Sequence, residues 1–104
     1  MRGGLSTIAT LRANAEDTYI TEGMWGVSGW VAIDGKVDSL LADLGDLIPH
    51  PTFRTAPVGA LEDHGFRVAE SPPAHHVTIY IGQEVPTDEV LGRLETVFSP
   101  PKPR

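Results

Sequence analysis

The chain has 104 residues, 40% of them hydrophobic, a formal charge of −6 and no cysteine. That length suits one domain, and the absence of cysteine excludes a disulfide framework, a thiolate metal centre and a cysteine nucleophile. No apolar run approaches the ~20 residues of a membrane span, and residues 1–7 hold one Arg but no apolar stretch of a secretory signal, so the expected setting is the cytoplasm, away from any membrane.

The charge is unevenly spread. Arg2, Arg12, Lys102 and Arg104 lie near the ends, whereas all fourteen acids fall between Glu16 and Glu95. Residues 13–101 carry only Lys36, Arg54, Arg67 and Arg93 against those fourteen, a balance of −10. Phosphate backbones are bound by clustered Lys and Arg that displace counterions, and no such cluster occurs, so nucleic acid is an unsuitable partner. A basic protein surface is a suitable one.

In chain order, residues 5–12 (LSTIATLR) are rich in β-branched and apolar types and read as a first strand, with a polar connection over 14–22. Residues 26–33 (GVSGWVAI) alternate, with Val27, Gly29, Val31 and Ile33 on one face and Ser28, Trp30 and Ala32 on the other, and the pair Asp34-Gly35 closes the strand. From Val37 the period becomes helical: Val37, Leu40, Leu41, Leu44, Leu47 and Ile48 form a stripe opposite Asp38, Asp43 and Asp46, until Pro49 and Pro51 stop it. A shorter helix is marked by Thr55 as N-cap, Pro57 in the first turn and Gly65 past the end, with Val58 and Leu61 inward and His64 at its C-terminus.

Residues 66–70 and 75–81 read as two more strands joined by Ser71-Pro72-Pro73-Ala74. Pro86-Thr87-Asp88-Glu89 starts a last helix carrying Val90, Leu91, Leu94, Val97 and Phe98. Residues 100–104 (PPKPR) cannot continue it and are expected as a free, flexible or polyproline tail.

The expected fold is a single α+β domain over 1–104, in the order ββααββα, with a mostly antiparallel four-stranded sheet and about three helices on one face. Val27, Val31, Ile33, Leu40, Leu44, Leu61, Val68, Ile79, Ile81, Leu91 and Leu94 should share one core. Helices on one side leave the other sheet face open. With Val77, Ile79 and Ile81 turned to the helices, His76, Thr78 and Tyr80 point away, joined by Ser28 and Trp30.

That open face is the candidate binding surface, since Trp and Tyr offer stiff contact area with a polar handle. The plainer alternative makes Trp30 a core residue shielded by the N-terminal segment, with His76 and Thr78 as ordinary solvent-face residues. Trp25, in the apolar turn Gly23-Met24-Trp25-Gly26, is a second binding candidate, with lidding of the core as its alternative. His75 and His76 face opposite sides of a strand and lack a third ligand nearby in sequence, so neither a metal nor another cofactor is expected.

The string His76-Val77-Thr78-Ile79-Tyr80-Ile81-Gly82, followed by an amphipathic helix, resembles half of the signature of the two-histidine phosphoesterases, and His50-Pro51-Thr52 is a second His-x-Thr. The resemblance implies His76 and His50 as acid–base candidates and Thr78 as a phosphate-holding hydroxyl, acting on a cyclic or 2′,5′-linked phosphodiester. More broadly, three stretches carry a likeness: Glu22-Gly23-Met24-Trp25-Gly26-Val27-Ser28; Thr55-Ala56-Pro57-Val58-Gly59-Ala60-Leu61 with Gly65-Phe66; and the Phe98-Ser99-Pro100-Pro101 end after a Pro/His-led strand. In these the chain is similar to small proteins of high-GC Gram-positive bacteria and their phages. That likeness implies a compact cytoplasmic domain and no particular chemistry.

Two functions follow. The favoured one is an acidic protein-recognition module, an antitoxin-like or immunity-like partner or a component of an assembly, that uses Trp30, His76, Thr78, Tyr80 and Trp25 to meet a basic protein or a second copy of itself. The alternative is a His-x-Thr phosphoesterase, which requires His50 and His76 to converge on one cleft.

Overall fold

The computed structural model describes residues 1–3, 7–32, 35–45 and 52–103. Among them the order is β1 (Arg2–Gly3), α1 (Ile8–Glu22), β2 (Trp25–Trp30), α2 (Val37–Leu44), β3 (Thr52–Arg54), α3 (Val58–Asp63), β4 (Arg67–Glu70), β5 (His76–Gly82), α4 (Asp88–Val97) and β6 (Lys102–Pro103). The α+β class expected from the sequence is what the chain adopts. The single four-stranded sheet is not: among the described residues there are two three-stranded antiparallel sheets, ordered β1-β3-β6 and β2-β5-β4, and four helices.

The largest departure is α1, where a strand and a polar connection were expected. Thr7 caps it through a reciprocal box: Thr10 N donates to Thr7 Oγ1 at 3.2 Å and Thr7 N to Thr10 Oγ1 at 2.8 Å. Gly23, at φ 73° in the left-handed region, ends it and donates to Tyr19 O. Only Leu11, Ala15 and Thr18 are buried along its length, so its apolar stripe is too narrow to register as a helical period.

The main core lies between β2-β5-β4 and α1, α3 and α4. Leu11, Ala15, Trp25, Val27, Leu61, Phe66, Ile79, Leu91, Leu94 and Phe98 are its buried members, and Val68 and Ile81 pack against it. Leu40 and Leu44 belong instead to a second, smaller cluster with Met1, Trp30 and Ala32, so the expected single core is divided. Ile33, Leu47 and Ile48 lie outside the described residues.

Residues 102–103 of the proline-rich end pair as strand β6. Thr52 pairs with Pro103 and Phe53 with Lys102, an edge position where proline's missing N–H costs no ladder bond. Ser99 N donates to Thr55 O at 2.7 Å. Arg54, 8% exposed, bonds the Glu95 carboxylate and the Ser99 carbonyl, tying β3 to the end of α4.

Candidate functional site

The β2-β5-β4 sheet has period-two sides. Cross-strand partners Gly26↔Tyr80, Ser28↔Thr78 and Trp30↔His76, with Arg67↔Tyr80 and Ala69↔Thr78, put Gly26, Ser28, Trp30, His76, Thr78, Tyr80, Arg67 and Ala69 on the face away from the main core. The sequence places five of these together, and the register does bring them together. What each can do there differs.

At one end, Trp30 is half-buried against Leu40, Leu44 and Met1. His76 meets its ring edge-to-face, centroids 4.9 Å apart at 81°. The outer edge of β2 is occupied as well. The Met1 ammonium donates to Trp30 O at 2.6 Å and Trp30 N donates to Met1 O at 2.8 Å. Next along, Ser28 N donates to Asn14 Oδ1 at 3.0 Å and Arg2 Nη1 donates to Ser28 O at 2.5 Å. Burial, with the charge of Arg2 adding to it, pulls the Met1 ammonium pKa from 8.0 to about 6.

In the middle, Thr78 is 4% exposed and its hydroxyl lies 3.0 Å from Ser71 Oγ, which in turn is 2.7 Å from His76 Nδ1. The β4–β5 hairpin creates this chain: Ser71 N donates to His76 O, so the two residues face each other directly. Burial holds the His76 pKa below its usual 6.5, partly countered by the charge of Glu22, so the ring is neutral near pH 7. Ser71, Glu70, Val31, Pro72, Pro73 and His76 border an open cavity of about 450 Å³ at the hairpin turn. Neighbouring His75 turns toward α2, its Nε2 3.9 Å from Asp43 Oδ2.

At the far end, Tyr80 is half-buried and is held from two sides. The Arg67 guanidinium sits 4.5 Å from the ring centroid, and the hydroxyl donates to Glu22 Oε1 at 2.6 Å. That hydrogen bond to a carboxylate, more than burial or the Glu22 charge, raises the Tyr80 pKa above 10.0. Gly26 opposite is obligatory: a Cβ there would meet Ile79 O at 2.9 Å and Thr78 Cγ2 at 3.1 Å.

Trp25 is 9% exposed, in the core, its ring stacked on Tyr19 at 4.6 Å, and it presents little surface to a partner. His50, the second histidine of the His-x-Thr pair, lies outside the described residues. Among the described residues no three His, Cys, Asp or Glu side chains gather as metal ligands, and no helix is long and apolar enough to cross a membrane.

Ser71, Arg67 and Glu22 were not singled out from the sequence. For Ser71 and Arg67 the signal is the hairpin register: once residues 71–76 close the turn, Ser71 must oppose His76 and Arg67 must oppose Tyr80; Glu22, at the end of α1, comes to Tyr80 only through the packing of that helix on the sheet. Comparison of the chain with known protein families, with curated proteins and with solved structures finds no match.

Proposed function

We propose that the chain is a small acidic protein-recognition module of the cytoplasm that meets its partner at the Tyr80 end of the outer sheet face. The supporting observation is the immobilised, half-buried tyrosine: stacked under Arg67 and pinned to Glu22, Tyr80 offers amphipathic contact area at little further entropy cost. The charge balance of −10 over residues 13–101 favours a basic protein surface as that partner. Trp30, half-buried, and Thr78, buried, share that face with Tyr80, and His76 flanks them. No specific observation favours the phosphoesterase alternative, because the Thr78 hydroxyl that would hold phosphate is buried against Ser71.

The test is affinity capture from native lysate at low salt with the wild-type chain and with Tyr80→Ala, both checked by thermal melting and sedimentation. A stoichiometric basic protein, or a second copy of the chain, held by the wild type and lost by an equally stable Tyr80→Ala is the expected result. Equal capture by both contradicts the proposal, as does capture of nucleic acid.

A further inference from the structure

We propose that Ser71 is a nucleophile activated by His76, in a site for small neutral or cationic esters at the β4–β5 turn, beside the Tyr80 surface. Three geometric facts carry it. Ser71 Oγ lies 2.7 Å from His76 Nδ1, within reach for proton transfer, and 3.0 Å from Thr78 Oγ1. The pair borders a cavity of about 450 Å³, a size suited to a small molecule. And the hairpin fixes the pair through the Ser71 N to His76 O bond, so no rearrangement is needed to bring base and hydroxyl together.

The hydrogen bonds have one productive direction. With the ring neutral and its proton on Nε2, Nδ1 accepts from Ser71 Oγ–H, and Thr78 Oγ1–H donates to Ser71 Oγ. His76 is the general base and Thr78 a positioning residue that orients the serine's lone pairs. Packing against Trp30 fixes the plane of the imidazole.

The step is acyl transfer. Ser71 Oγ attacks the ester carbonyl carbon, an Oγ–C bond forms, and the hydroxyl proton passes to His76 Nδ1. The carbonyl carbon then releases the alcohol oxygen, which leaves with that proton, and Ser71 is left acylated. Water, deprotonated by the same nitrogen, returns the serine and releases the carboxylic acid. Val31, Pro72, Pro73 and Ala74 give the cavity an apolar wall for the acyl group, and Glu70 on its rim disfavours anionic substrates.

The probe is p-nitrophenyl acetate, followed by the nitrophenolate burst and by peptide mass spectrometry of the acetylated chain. Expected are a burst approaching one equivalent, acetylation on Ser71, and an acylation rate that rises with pH through one ionisation below 6.5. His76→Gln should slow acylation by about 10²-fold or more and Thr78→Val by less, at unchanged melting temperature. Ser71→Ala should abolish the burst. Should Ser71→Ala fail to fold, Ser71→Cys keeps a nucleophile, and its alkylation by iodoacetamide should slow on adding His76→Gln. Acetylation confined to lysines or the amino terminus, or a Ser71 adduct formed equally fast without His76, overturns the proposal. Either outcome leaves capture at Tyr80 to be judged separately.

Discussion

Single residues decide whether the outer face can present Tyr80. Gly26 is the most constrained, since the atom nearest an added Cβ is the Ile79 carbonyl of the central strand, which cannot swing aside as a side-chain end would. Gly26→Ala should cost about 1–3 kcal/mol in urea unfolding and displace the Tyr80 ring. The Glu22 contact has its own signature. In a Tyr19→Phe background, the tyrosinate absorbance of Tyr80 should rise only above pH 10, and Glu22→Ala should bring that titration down. A Tyr80 titration indifferent to Glu22 would mean that the hydroxyl is free in solution. Because the pKa is raised in the fold, the stabilisation from this bond is complete below pH 10 and is lost as pH climbs through the folded value.

Secondary-structure elements differ in how far the sequence discloses them, and the reason is physical in each case. In β2 and β5 the apolar and polar residues alternate cleanly, and in α2 and α4 the leucines recur at helical spacing, so these four were legible. For α1 the Thr and Ile content suggested a strand, while the cap at Thr7 and the stop at Gly23 fixed a helix. Strands β1, β3 and β6, of two or three residues, have no room for a period and exist only because distant segments pair. The same holds for the site: His76, Thr78, Tyr80 and Trp30 could be put on one face from alternation, but Ser71 sat in an apparent Ser-Pro-Pro turn until the hairpin register opposed it to His76.

The two clusters make the packing testable. Ile79, 2% exposed at the centre of the main core, should cost about 3–5 kcal/mol on truncation to Ala. Leu44, in the smaller cluster against Trp30, should cost about 2 kcal/mol, because partly exposed neighbours can relax into the space. Equal losses in equilibrium unfolding would mean that the two clusters are one.

For the molecule as a whole, pH acts chiefly through the buried amino terminus of this chain. Its folded pKa of about 6 lies below the ordinary 8.0, so between those values the unfolded chain binds more protons than the folded one. Stability should therefore rise by roughly 2–3 kcal/mol as pH goes from 6 to 8. His76, also lowered, acts in the same direction below 6.5. A urea midpoint that stays flat or falls over that window would contradict the buried contact between the Met1 ammonium and Trp30.

The acidic body and the held tyrosine together define the proposed recognition surface, and one titration tests both. With the captured partner in hand, its affinity for the wild-type chain and for Tyr80→Ala is to be measured calorimetrically at low and high salt. Tyr80→Ala should weaken Kd at least 30-fold, equivalent to about 2 kcal/mol, at an unchanged melting temperature, and binding by the wild type should weaken as salt rises. An affinity that neither Tyr80→Ala nor salt alters would show that recognition does not use this face.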